Sequence, residues 1–358
     1  MSAPPKRPIK GQGALSNPTG RFNREHIEPV DDGWYAEEDD PAPTPIRVEP
    51  DRARSVITKN DSPDVPFDYS INPYRGCAHA CPYCYARPSH AYLGLSPGLD
   101  FETRLFYKAD AARVLSEELA RPGYVCRPIA LGSNTDPYQP VERGLRVTRS
   151  ILEVLRDCRH PVTIVTKSSL IVRDLDILAD LARDRLSQVA VSVTTLDPEL
   201  KRTLEPRAAG PGARLATLRA LAERGIPAGA LLAPIIPGIN DHELERILEA
   251  VAATGATSAS YVLLRLPHEV KIIFREWLAA HHPQRAEHVM SLIHALRGGA
   301  DNDPRFGHRM RGTGPFAELL RRRFELACRR VGIAGSRSLP LVTTLFRPPR
   351  AQAELPLF

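Results

Sequence analysis

Six short strand-like runs, each followed by a helical pattern and each ending in polar residues, set the tightest limit on what this chain can become. Residues 67–71, 129–131, 162–165, 189–193, 228–236 and 261–264 have the length of buried strands, and all but the first are nearly pure Val, Ile, Leu and Ala. Between them run helical patterns at 109–119, 145–158, 175–186, 214–224 and 241–253. In the second, Leu145, Ile151, Leu152, Leu155 and Cys158 recur on one helical face. Strand-then-helix units repeated in this way imply parallel strands joined by right-handed crossovers, an α/β fold. The pattern alone leaves an open doubly wound sheet and a barrel equally allowed.

In parallel α/β architectures the active site lies at the carboxyl ends of the strands. The polar residues there are Ser133, Asn134 and Asp136; Thr166 and Lys167; Ser192, Thr194 and Thr195; Asn240 and Asp241; and Arg265. Thr195, Asp197 and Asp241 read as helix N-caps. The others form one rim of candidate ligand-binding residues.

Half of the six cysteines fall within Cys77-Ala78-His79-Ala80-Cys81-Pro82-Tyr83-Cys84, spaced C-x3-C-x2-C. Three thiolates on one loop are costly unless a metal neutralises them. Structural zinc wants four ligands in a closed tetrahedron, and the second C-x2-C pair is absent; a three-Cys site completed by His79 is the alternative. A cubane iron–sulfur cluster has four irons, so three thiolates leave one iron open to a small molecule.

Cys77, Cys81, Tyr83 and Cys84 match C-x3-C-x-aromatic-C, and in this the chain resembles the radical S-adenosylmethionine (SAM) superfamily. The resemblance implies a [4Fe–4S] cluster whose open iron is chelated by SAM. One electron then cleaves SAM to methionine and a 5′-deoxyadenosyl radical that abstracts hydrogen from substrate. It further implies a partial (β/α)6 barrel with the cluster loop after its first strand, and a cellular reductant of flavodoxin or ferredoxin type. Val165-Thr166-Lys167, Ser192-Val193-Thr194, Glu205-Pro206 with Ala213-Arg214-Leu215, and Ala233-Pro234-Ile235 look like the spore photoproduct lyase branch, also called DNA repair photolyase-like. That likeness implies Lys167 and Ser192 at the SAM carboxylate and ribose region, with Ser133 and Asp136 near the amino group or ribose. Thr194, Asn240 and Tyr83 join them as rim positions, and Tyr85 stands where the lyase has a tyrosine linked to radical relay. Two departures stand out. Gly132-Ser133-Asn134-Thr135-Asp136 holds no thiol where the lyase has its hydrogen donor, and Cys126 lies at the other end of that strand. Arg207 is foreign to the lyase pattern and is expected to bind the SAM carboxylate.

Three regions are expected: a mostly disordered lead-in over 1–50, a radical SAM barrel over 51–265, and a helical, Arg-rich extension over 266–358 packed on the barrel. Within the lead-in, Gly11-Gln12-Gly13-Ala14 and Gly20-Arg21-Phe22-Asn23 are candidates to lie across a folded surface. No apolar run of about eighteen residues is present, which excludes a membrane-spanning helix. Clustered cysteines do not resemble a disulfide framework, and the thiols suit a reducing cytoplasm. The expected state is a monomer. Residues 297–350 hold twelve arginines against four acids, which reads either as a nucleic-acid-facing surface or as a solvated helix face. A nucleic acid is thus one candidate substrate. Radical modification of a peptide, tRNA or metabolite is an alternative, as is a non-catalytic zinc-stabilised nucleic-acid-binding protein.

Overall fold

The computed structural model of the chain describes residues 7–23, 43–335 and 340–349. The remainder of the expected lead-in and the last residues of the extension lie outside the described residues. The strands are β1 (Arg47–Pro50), β2 (Ile57–Lys59), β3 (Tyr69–Ile71), β4 (Tyr74–Arg75), β5 (Arg104–Tyr107), β6 (Ile129–Leu131), β7 (Val162–Thr166), β8 (Ser187–Ser192), β9 (Ala228–Ile235), β10 (Ser258–Leu263) and β11 (Ala334–Gly335).

The main sheet has the order β11-β10-β9-β8-β7-β6-β3-β2. From β3 through β6, β7, β8 and β9 to β10, every neighbouring pair is parallel. These six strands are the six runs read from the sequence, so the chain is the expected α/β structure with its parallel repeat. Among the described residues the edge strands β11 and β2 do not pair with each other. β3 pairs outward with antiparallel β2, and β10 pairs outward with β11. A second sheet of order β1-β5-β4 sits beside it, and β4 runs directly into the cysteine loop.

Parallel strands covered on both faces must be apolar throughout, and β6 is buried at all three positions. The main core joins these strands to the inner faces of the helices, including Ile151, Leu152 and Leu155 of the helix Val147–Asp157. A second apolar cluster lies under the cysteine loop. There Cys81 and Tyr83 meet Leu204, Ile236, Phe274, Trp277 and Ile293, so the helices Val270–His281 and Ala286–Leu296 form the bed of the loop. Trp277 is fully buried, and its indole N–H donates to the Thr203 carbonyl at 3.1 Å.

Two capping expectations change. Asp197 does cap the helix Pro198–Leu204, accepting from the Glu199 N–H at 2.8 Å. Asp241 does not cap, because a 3-10 turn over Asp241–Glu243 moves the next helix to Leu244–Ala252; its carboxylate instead accepts from the Gly238 N–H at 2.7 Å. Thr195 is also no cap: its hydroxyl donates to Glu243 and accepts from the Asp197 N–H.

Candidate cluster and cofactor site

The cysteine loop is held from several sides. Gly76 enters it at φ +75°, and a Cβ there would meet the Phe101 carbonyl and Leu105 at 2.8 Å, so only glycine fits. The Cys77 N–H donates to the Phe101 carbonyl at 2.9 Å. Gln139 clasps the next peptide, accepting from the Ala78 N–H at 2.8 Å and donating to the Gly76 carbonyl at 3.2 Å. Arg87, fully buried, donates its Nε–H to the Cys81 carbonyl at 2.8 Å and forms an ion pair with buried Glu102 at 2.5 Å.

Cys77 and Cys81 are buried and Cys84 is half-buried. Burial raises the Cys81 thiol pKa, and Glu205 and the other two cysteines add to it; burial likewise raises Cys84, with Cys77 adding to it. The thiols therefore lie within electrostatic reach of one another. Thiolates there require a compensating positive charge, which a metal cluster provides. Among the described residues, no three His, Cys, Asp or Glu side chains converge on the position of a single ion. His79, which would complete a mononuclear zinc site, is engaged by Asp136, Nδ1 to Oδ2 at 3.4 Å, and lies against Cys77 as well. Burial works to lower the His79 pKa, but Asp136 and Cys77 overcome it and push it up to about 9. The donor set fits a three-thiolate cluster.

The rim residues divide by whether the protein already satisfies them. Asp136 is saturated: it accepts from the Thr166 hydroxyl at 2.7 Å, the Lys167 N–H at 2.7 Å and the Tyr138 N–H at 2.9 Å. Burial raises its pKa, yet His79 and these donors hold it at about 2. Asn240 is equally committed, with its amide donating to the Thr194 and Pro234 carbonyls and accepting from the Ile236 N–H. The Thr194 hydroxyl donates to Glu205 at 2.7 Å. Tyr83 is buried with its hydroxyl on the same carboxylate, and Ser133 exchanges hydrogen bonds with Asn72. These side chains brace the rim.

Three other side chains, Ser192, Arg207 and Arg265, each keep a buried polar atom without a partner among the described residues. The Ser192 hydroxyl is fully buried and, among the described residues, has no partner. The same holds for Nη1 of Arg207, whose backbone N–H donates to the His79 carbonyl at 3.3 Å. Lys167 places Nζ 5.9 Å from the centre of the Tyr83 ring. Arg265 lies 5.4 Å over the Tyr85 ring, with its Nε buried and unpartnered among the described residues. Tyr85 is 49 % exposed and donates its hydroxyl to the Ser133 carbonyl. Buried polar groups without partners are rare in folded proteins and mark places completed by a ligand or water.

Sequence reading named Glu205 and Arg214 only as parts of matching stretches and gave them no role at the site. Glu205 is buried and takes hydrogen bonds from Tyr83, Thr194 and Arg214, which is itself buried. Burial raises the Glu205 pKa, but Arg214 and Lys167 outweigh it and hold it at about 2. This ion pair locks the aromatic residue before Cys84 to the strand ends. Arg87, Glu102 and Gln139 were also missed, since no local spacing announces a partner found only in the fold.

A family model for the radical SAM superfamily matches residues 71–251. An uncharacterized protein of Mycobacterium tuberculosis is 40% identical over 222 residues, covering 62% of this chain and 65% of its own. One of Methanocaldococcus jannaschii is 29% identical over 222 residues, covering 61% and 78%. The chain thus spans less than two thirds of the mycobacterial relatives it matches. Among solved structures, a spore photoproduct lyase complexed with dinucleoside spore photoproduct aligns at TM-score 0.57 and 16% identity, over 81% of this chain and 82% of the other. A mutant of that lyase with bound AdoMet and the dinucleoside aligns at 0.57 and 15%, over 82% of each. At these identities the likeness is one of fold.

Proposed function

The chain belongs to the radical SAM superfamily, and from that premise we propose that it holds its [4Fe–4S] cluster on Cys77, Cys81 and Cys84 and binds SAM through Lys167, Ser192 and Arg207. When bound, cluster and SAM supply the 5′-deoxyadenosyl radical that takes hydrogen from substrate. The chain's own part is to bind, orient and enclose. The observation that carries the assignment is the pair of unsatisfied buried groups, Ser192 Oγ and Arg207 Nη1, on the rim that also carries the three thiols.

A hydrogen-bearing part of a nucleic acid is the substrate class we favour. Its support is the fold shared with a lyase solved on a dinucleoside, together with an exposed aromatic, Tyr85, lying beneath a cation. The lyase's own reaction is not proposed. The loop from Gly132 to Asp136 carries no thiol, and Cys126 precedes β6 at its opposite end. Tyr85 takes the place of hydrogen relay in this reading, since a phenol O–H yields a hydrogen atom more readily than the Ser133 hydroxyl does. A flavodoxin- or ferredoxin-type reductant, a cytoplasmic location and a monomeric state complete the proposal. Among the described residues no helix is long and apolar enough to cross a membrane.

Anaerobic reconstitution tests the site. The wild-type protein is expected to be brown with about four irons per chain, in keeping with a cubane, and to form 5′-deoxyadenosine on reduction. Cys77→Ala, Cys81→Ala and Cys84→Ala should each abolish the cluster, whereas Cys126→Ala, Cys158→Ala and Cys328→Ala should retain it. A colourless protein with one zinc would overturn the assignment.

A further inference from the structure

Residues 12–16 are buried one after another, in a segment that carries neither strand nor helix, and Gln12 is only 5% exposed. This strap lies on the cysteine loop. A Cβ on Gly13 would fall 1.6 Å from the Ala80 carbonyl oxygen and 3.1 Å from the Pro82 ring, so the two backbones touch and only glycine fits. The strap is enclosed on another flank as well. A Cβ on Gly98 would fall 1.9 Å from the Ser16 carbonyl oxygen, which accepts from the Leu99 N–H at 3.2 Å. Further along, the Ser16 hydroxyl donates to Glu276 at 2.7 Å and the Arg21 N–H to Glu269 at 3.0 Å.

A buried ion pair joins strap to loop. Glu102 accepts from the Gly13 N–H at 3.1 Å and the Ala14 N–H at 3.3 Å, and pairs with Arg87 at 2.5 Å. Arg87 in turn donates to the Cys81 carbonyl at 2.8 Å and the Gly98 carbonyl at 2.7 Å. The loop needs holding at the very residue the strap covers. Ala80, between the first two cysteines, stands at φ +62°. A side chain makes that left-handed conformation costly, and it persists where the surroundings enforce it. Within the loop, the Ala80 N–H donates to the Cys77 carbonyl at 3.3 Å, longer than most such bonds.

We infer that the strap is the clamp of the cysteine loop. Gly13 pressing on the Ala80 peptide, and Glu102 tying the strap to Arg87, hold Cys77 and Cys81 in position, so retention of iron depends on this segment. The inference rests on the radical SAM reading of those thiols. It adds a positioning segment that lies outside residues 71–251, the part of the chain that carries the family match.

The test uses the full chain loaded anaerobically with its cluster and reads the rate at which bathophenanthroline disulfonate strips its iron. Gly13→Ala drives a methyl group into the Ala80 carbonyl and should release iron about tenfold faster than wild type, the worth of one or two hydrogen bonds. Gly212→Ala, whose added methyl meets nothing within 4 Å, should release it at the wild-type rate. Ala80→Gly lets the loop adopt its left-handed residue unaided. Release from the Gly13→Ala, Ala80→Gly double variant should therefore return to within about threefold of Ala80→Gly alone. The urea midpoint of the cluster-free Gly13→Ala protein should match wild type, since a peripheral strap opens without the core. Equal release by wild type and Gly13→Ala, no suppression by Ala80→Gly, or a lower urea midpoint would overturn the inference and leave the strap a packing element. Should Gly13→Ala take up no cluster, uptake restored in the double variant supports the clamp, and uptake lost in both overturns it. A wild-type protein that loads no cluster would instead sink the reading on which the inference rests.

Discussion

Arginine occurs in this molecule in two settings. On the helix Pro315–Val331, Arg321 pairs with Glu318 and Glu325 at 2.6 Å, Arg322 with Glu318 at 2.9 Å, Arg323 with Glu245 at 2.8 Å, and Arg330 with Glu249. At the rim, Arg207 and Arg265 each keep a buried guanidinium nitrogen without a partner among the described residues. The first setting is dense in charge and already neutralised in place; the second is sparse and unspent. Exposed ion pairs contribute little, whereas a buried cation left unpaired is expensive. The count of arginines therefore says less here than whether each one has a partner. Within the Arg-rich segment, read from the sequence either as a nucleic-acid-facing surface or as a solvated helix face, the arginines named on this helix have carboxylate partners.

The comparison breaks most sharply at Arg214, which is both buried and satisfied. Arg214→Met strands Glu205 in the interior and should cost about 3–5 kcal/mol, read as a lower urea midpoint of the cluster-free protein. A negligible shift would mean that pairing does not separate the two settings. Next in size is Lys167→Ala, expected to weaken SAM about tenfold to a hundredfold while iron content holds. Lost iron would give Lys167 a structural role instead. The smallest effect belongs to the triple variant Arg321→Gln, Arg322→Gln and Arg323→Gln. Its affinity for single-stranded DNA and the salt dependence of that affinity should equal wild type; a shallower salt slope would place phosphate contacts on that helix and erase the distinction.

The parallel strands were legible because a strand covered on both faces has to be apolar, and that demand is written locally. The three thiols were legible for the same reason, since one loop carries them. The rim was legible only as a set of polar residues. Asn240 and Asp136 look, in sequence, like Ser192 and Lys167, yet the fold spends the first two on its own backbone. Whether a polar side chain is free is decided by neighbours distant in the chain: Thr194 and Ile236 for one, His79 and Lys167 for the other. Gln12 shows the same limit in reverse. Its stretch is a candidate in sequence to lie across a folded surface, but only its seat against the loop reveals that Gln12 itself is enclosed.

The apolar bed beneath Cys81 and Tyr83 has a consequence for how the protein is made. Phe274, Trp277 and Ile293 leave the ribosome some two hundred residues after the thiols they support. Until those residues are made, the cysteine loop lacks that bed. A cluster held on this loop would rest on those helices only once they have been made and packed.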